Sequence, residues 1–240
     1  MISTILEKLP NSKELILERR NNYLVTYINP YNYLIIAKNI SVLRDIDYIT
    51  FDGILLTVIF RLFRLRNVER LSPDFSSYFL ELFESASENN DKIYLIGTEA
   101  DKVMIAAGNF KKKFKELNIV GFHSGFFSSF QEKTLIENIK ESGANIVIVG
   151  MGVGKQETFL GNLKKEGWEG RGYACGGFLH QSAEKAVYYP GWVSKLHLRW
   201  AYRIYSEPKL INRYCIDYPY SIFFIVKDIL AYKSSRKYIS

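Results

Sequence analysis

Asn145-Ile146-Val147-Ile148-Val149-Gly150-Met151-Gly152-Val153-Gly154-Lys155-Gln156-Glu157 is the stretch that decides the fold. Ile146 to Val149 are four β-branched residues in a row, which suits an extended backbone. The run is apolar throughout, without the alternation of a strand wetted on one face. It is therefore expected to be covered on both sides, as in a parallel sheet. Three glycines follow, and a helical pattern then runs from Gly154 to about Gly167. Strand, glycine-rich turn and helix in that order make one βα unit.

The same unit recurs on both sides of this stretch. Strands are predicted at Tyr23 to Ile28, Tyr48 to Phe51, Lys92 to Thr98, Asn118 to Phe122 and Gly172 to Gly177. Helical patterns are predicted at Pro30 to Asn39, Gly53 to Phe63, Ser76 to Glu88, from after Thr98 to Lys115, and at Gln131 to Ser142. Continuous apolar strands separated by amphipathic helices predict a doubly wound, mostly parallel, Rossmann-like α/β sheet, with ligands at the carboxyl ends of its strands.

The chain has 240 residues, enough to bury a core without staples. Two cysteines, Cys175 and Cys215, with no C-x-x-C or zinc spacing, argue against a disulfide framework and fit a reducing compartment. The first residues lack the pattern of a secretory signal, and no run of 18 apolar residues predicts a bilayer span. The expected location is therefore cytoplasmic; the C-terminal segment and the resemblance described below add a peripheral place on the inner face of the cell membrane.

The net charge of +7 points to anionic partners, and its placement narrows them. Beyond Pro190 there are nine Lys and Arg residues against three Asp and Glu, so most of the excess lies in that segment. Tyr and Trp are interleaved with the basic residues. That combination reads as a membrane-surface appendage rather than a nucleic-acid arm. The bland alternative is a helix docked on the core with a solvated basic face. The chain is accordingly divided into an α/β catalytic domain, residues 1–190, and a C-terminal appendage, residues 191–240. The appendage is expected to be separable from a core that folds by itself. Exposed aromatic segments fit a homo-oligomer interface equally well.

Three places carry candidate chemistry. Gly150, Gly152 and Lys155, with Gln156 and Glu157 behind them, form a glycine-rich turn into a helix, suited to a phosphate. The turn matches neither the Walker pattern nor the dinucleotide fingerprint, and a simple strand-to-helix turn is its structural alternative. The absence of a Gly-x-Gly-x-x-Gly after the first strand also speaks against a nucleotide-dependent oxidoreductase. Asp52, after the strand Tyr48 to Phe51, is placed for a general base, or blandly for a helix N-cap. Arg70 can clamp a phosphate or pair with Asp74. Gly97 and Thr98 end the clearest strand, and His180 follows the last one as an acid–base or polar group. No Asp-x-Asp pair and no spaced His pair predicts a metal site, so no metal and no cofactor are expected.

These residues resemble the WecG/TagA/CpsF glycosyltransferases over about Thr26 to Tyr214. The likeness is strongest at Gly150-Met151-Gly152-Val153-Gly154-Lys155-Gln156-Glu157, where the family usually reads Gly-x-Gly-x-Pro-Lys-Gln-Glu. Further matches are Asp52-Gly53, Glu69-Arg70 with Asp74, the strand Tyr94 to Gly97, and the tail from Leu198-Arg199-Trp200-Ala201-Tyr202-Arg203 through Glu207-Pro208 to Arg213-Tyr214.

The resemblance implies an inverting, metal-independent transfer of an N-acetylmannosamine-type sugar or another hexose. The donor is a UDP-sugar and the acceptor a polyprenyl-diphosphate-linked saccharide of bacterial surface polysaccharide assembly. It implies Asp52 as the base and Arg203 and Arg213 on the lipid diphosphate; UDP is expected near Gly97-Thr98 and the Gly150 to Glu157 turn, with Arg199 joining the two arginines. Asn29 keeps the family's Asn-Pro, but Tyr27 stands where its Thr is usual. Other departures are Gly154 for Pro, Leu179-His180 for Phe-Asp, Ala183-Glu184 for Ala-Gly and Tyr188-Tyr189-Pro190 for Arg-Ala-Pro. They gather near the expected donor pocket and leave the donor sugar open. They also motivate the alternative of a non-catalytic, membrane-docked nucleotide-sugar-binding subunit.

Overall fold

A computed structural model describes residues 1–19, 22–184, 193, 199–206 and 210–237, except for the side chains of residues 199, 200, 203, 206 and 237. The proposed boundary at 190/191, the motif Glu207-Pro208 and the side chains of Arg199 and Arg203 lie outside the described residues.

Among the described residues, six strands form one parallel sheet: β1 (Tyr23–Ile28), β2 (Tyr48–Phe51), β3 (Lys92–Gly97), β4 (Asn118–His123), β5 (Ile146–Gly150) and β6 (Arg171–Ala174), in the order β2-β1-β6-β5-β3-β4. The helices are α1 (Ile2–Lys8), α2 (Pro30–Lys38), α3 (Ile54–Leu62), α4 (Tyr78–Glu88), α5 (Ala100–Lys113), α6 (Ser129–Glu141), α7 (Lys155–Lys165), α8 (Phe178–Glu184), α9 (Arg199–Ser206) and α10 (Tyr218–Lys237). The expected α/β fold is the observed one. The last strand is shorter than predicted, because the chain leaves the ladder at Ala174 and Cys175-Gly176-Gly177 is a loop.

Alternation along the strands fills two separate cores. Tyr94 and Ile96 of β3 and Val147 and Val149 of β5 face one side with Tyr33, Phe60 and Leu160. Ile93, Leu95, Ile146 and Ile148 face the other with Phe79, Phe83 and Phe110. Two apolar faces require helices on both, which is why these strands lack a polar side.

At the amino ends of the strands, Asp91 receives Arg171 at 2.6 Å, Arg19 at 2.9 Å and Asn145 at 2.9 Å. Asp91 and Arg171 are both buried. This network pins β3, β5 and β6 at the end away from the site.

The C-terminal helix is docked on the sheet domain. Ile225 and Ile229 of α10 belong to the same core as Ile2 and Ile5 of α1 and Tyr33 and Ile36 of α2. The Tyr33 hydroxyl donates to Asp228 at 2.6 Å, and Lys233 donates to the Phe63 carbonyl at the end of α3 at 2.9 Å. Among the described residues no helix is long and apolar enough to cross a membrane.

Candidate active site

A cavity of about 610 Å³ opens over the carboxyl ends of β2, β1 and β6. Its size is that of a small-molecule site. Asp52, Asn29, Tyr27 and Arg70 line it from the sheet domain, with Cys175, Gly177 and Gln181 from the β6 side. Ile204 of α9 and Arg213, Tyr214 and Cys215 complete it from the C-terminal segment. Arg213–Asp217 is a π-helical turn, an irregularity that recurs at functional sites and here brings Arg213, Tyr214 and Cys215 to one wall.

Asp52 leaves β2 with its amide donating to the Ile28 carbonyl at 3.0 Å. Ser72 donates to Oδ1 of Asp52 at 2.8 Å, and the Asn29 side-chain amide donates to Oδ2 at 3.3 Å. Asn29 is itself fixed as the N-cap of α2: its Oδ1 accepts from the Asn32 backbone N–H, and its own backbone N–H donates to Asn32 Oδ1. With Oδ1 committed to the helix, Nδ2 must face the carboxylate, so the cap also sets the orientation of the amide. Asp52 does not cap the following helix: Gly53 is the N-cap of α3, at φ +87°, with no side-chain cap.

The guanidinium of Arg213 lies over the Tyr31 ring at 3.9 Å, and its Nε is buried without a hydrogen-bond partner. No acidic side chain pairs with Arg213 among the described residues. Among the described residues, Arg70 makes a long contact to Asp74, 3.8 Å, and a 3.5 Å hydrogen bond to Ser76. A cationic wall with spare donors is a site for an anion.

The glycine-rich turn has a different place. Glu157 is buried, and it accepts from Thr26 Oγ1 at 2.5 Å, from Gln156 Nε2 at 2.9 Å and from the Gly154 amide at 2.6 Å. Gln156, also buried, accepts from the Gly176 amide at 3.2 Å. The Gly154 amide, a donor that a phosphate would seek, is thus taken by an internal carboxyl group. Gly150, Gly152, Lys155, Gln156 and Glu157 are not among the described residues lining the cavity. Gln156 and Glu157 instead bracket β1 to the β6–α8 loop from behind. That loop is shaped to receive Tyr27: a Cβ on Gly176, at φ +55°, would lie 2.1 Å from the Tyr27 hydroxyl. Burial, with Asp52 and Glu157 close by, pushes the Tyr27 phenol well above its usual range.

Gly97 and Thr98 sit one crossover away. Gly97 is paired with Gly150 at the ends of β3 and β5, and a Cβ on it would meet the Gly150 carbonyl at 2.6 Å. Thr98, at φ +48°, has its hydroxyl 3.1 Å from His180 Nδ1. His180 lies within 4 Å of Glu99 and Glu184. This cluster does not line the described cavity. Burial pushes the Cys175 thiol up to about 12, so it is protonated at neutral pH, whereas Cys215 is exposed. Among the described residues no three His, Cys, Asp or Glu side chains gather as metal ligands.

Sequence reasoning singled out Asp52, Asn29, Arg70 and Arg213, and the fold brings all four to one cavity. It passed over Ser72, Gln181 and the two cysteines. For Cys175 and Gly177 a signal existed, since they follow directly on a parallel strand's carboxyl end. For Ser72 and Cys215 none did, because loop docking and a π turn set their positions.

A parallel α/β sheet with an oriented carboxylate and two arginines around one cavity at its carboxyl ends is the arrangement of an α/β enzyme site. The family model for "Glycosyl transferase WecG/TagA/CpsF family" matches residues 5–235, and the chain belongs to this family of glycosyltransferases. Among curated relatives, the UDP-Gal:alpha-D-GlcNAc-diphosphoundecaprenol beta-1,4-galactosyltransferase of Shigella boydii is 33% identical over 231 residues. The match covers 96% of this chain and 97% of the relative.

Proposed function

We propose that this glycosyltransferase moves a hexose from a UDP-sugar to a polyprenyl-diphosphate-linked N-acetylglucosamine at the cytoplasmic face of the membrane. The observation that carries the reading is the sharing of one cavity by the oriented Asp52 and by Arg213, which has no acidic partner among the described residues. The Shigella boydii relative acts, by its name, on UDP-Gal and a GlcNAc-diphosphoundecaprenol, and it forms a β linkage. UDP-galactose is therefore the first donor to test, before N-acetylmannosamine donors. A β product from an α-linked sugar nucleotide requires inversion, which one base can serve.

In this mechanism Asp52 takes the proton of the acceptor hydroxyl as that oxygen attacks the anomeric carbon, and the bond to UDP breaks. Arg213 and Arg70 stabilise diphosphate charge, with Arg199 and Arg203 proposed beside them, so the transfer proceeds without a metal. Gly97, Thr98 and His180, one crossover away, are proposed to extend the donor subsite, with Gly150, Gly152 and Lys155 on its far side. Gln156 and Glu157 contribute through the loop they hold.

Apolar side chains exposed on α3 (Ile54, Val58, Leu62) and on the C-terminal segment (Ile216, Tyr220, Phe223) support a peripheral membrane contact. Both elements line the cavity, through Ile54 and Leu55 and through Tyr218 and Ile222. The bilayer would then lie against the cavity's own rim, as a lipid-linked acceptor requires.

The test is transfer from UDP-galactose to a lipid-linked N-acetylglucosamine by wild type and Asp52→Asn. A fall of about 10²- to 10⁴-fold with UDP affinity kept is expected for a lost general base. If Asp52→Asn transfers at the wild-type rate, the base lies elsewhere. If no uridine nucleotide raises the melting temperature of the wild type, the donor assignment is withdrawn.

A further inference from the structure

Asp52 is a half-buried carboxylate held in one orientation, and one of its two holders comes from a loop outside the βα units of the sheet. The segment after α3 returns to β2, where the Leu71 amide donates to the Phe51 carbonyl at 3.1 Å. The next residue, Ser72, is wholly buried. Its amide donates to Ser77 Oγ at 3.2 Å, and its carbonyl accepts from the Asp74 amide at 2.9 Å. Both backbone groups are thus engaged within the loop, and the hydroxyl is left to Asp52 Oδ1 at 2.8 Å. Asn29 holds Oδ2 from α2. Two donors from two elements, one on each oxygen, fix the carboxylate's rotation about its last bond. Asp52 lines the cavity, and each of its oxygens keeps a lone pair that the two donors do not use.

We infer that Ser72 is a positioning residue for transfer, acting through Asp52: its hydroxyl holds the base in the rotamer that receives the acceptor's proton. The inference rests on Asp52 being the base. Ser72 is wholly buried and is not among the described residues that line the cavity, so its hydroxyl reaches the site through Asp52. Its loss belongs in kcat and leaves KM alone. A misdirected general base costs rate without costing affinity.

The experiment is steady-state transfer by Ser72→Ala, with KM read for donor and acceptor. A fall in kcat of roughly ten- to a hundredfold is expected, the range for losing one hydrogen bond to a charged group. Both KM values should stay within about threefold of wild type, since truncations outside the binding surface leave ground-state binding alone. A second pair controls for packing in this buried place. Ser72→Thr and Ser72→Val add the same bulk, and only Thr keeps the donor, so Thr should outpace Val by the same factor. Equal rates for Thr and Val, or a Ser72→Ala enzyme with full kcat or with its loss in KM, overturns the inference. Asp52→Asn separates the two ideas. If it is inactive while Ser72→Ala runs at full rate, only the positioning role fails; if it is active, the reading of Asp52 fails first.

Discussion

Glu157→Ala separates a carboxyl group that binds substrate from one that builds the site. The glycine-rich turn made Glu157 a ligand residue by its spacing, whereas its three hydrogen bonds all run to the protein. Removing it leaves the Thr26 hydroxyl and the Gln156 amide without their acceptor, and both residues are fully buried. At about 1–3 kcal/mol for each of the two orphaned buried groups, with about 0.5–2 kcal/mol for the lost cap on Gly154 added, the cost is roughly 3–8 kcal/mol. For a domain of this size each kcal/mol lowers Tm by about 2–4 °C, so a drop on the order of 10 °C is expected. Thermal unfolding of wild type and variant with and without UDP is the assay. The expected result is a large fall in Tm with a UDP-induced shift still visible below it. Glu157→Gln should fall less, since one oxygen remains to accept while its new amide faces the Gly154 donor. A variant with wild-type Tm that no longer responds to UDP would refute the reasoning and make Glu157 a direct ligand.

Three further outcomes follow from other parts of the molecule. Asp91→Ala strips Arg171 of its buried partner, and a loss of about 3–5 kcal/mol in denaturant unfolding is expected, with UDP binding preserved in the folded fraction. Thiol titration of the native protein at neutral pH should count one reactive group, the exposed Cys215, because Cys175 is buried and protonated. A bulky adduct on Cys215, which lines the cavity, should block transfer; two thiols reacting at equal rates would contradict the packing. Ile229→Ala should cost about 2–4 kcal/mol, the range for a fully buried isoleucine, measured by thermal unfolding. A smaller loss, within about 0.5 kcal/mol as for a surface site, would mean that α10 is only loosely attached.

The sequence alone determined the layers of the fold. Unbroken β-branched runs such as Ile146 to Val149 have no polar side to leave in water, so a parallel sheet covered on both faces was the arrangement that satisfied them. Asp52, at the end of such a strand, was legible for the same reason, since parallel strands gather their carboxyl ends at one edge. What each motif does there was decided by tertiary structure. The spacing Gly-x-Gly-x-Gly-Lys-Gln-Glu fits a phosphate turn and an internal bracket equally well, and the hydrogen bonds of Glu157 to Thr26 and of Gln156 to Gly176, far off in the chain, appear only once the chain is folded. Charge and aromatic content separated the C-terminal segment from the core. The packing of Ile225 and Ile229 against α1 and α2 joins the two, because burial depends on which surfaces meet and local composition does not record that. Ser72 is the clearest case: a serine in a loop carries no signal until the loop folds back on β2 and sets its hydroxyl against the carboxylate.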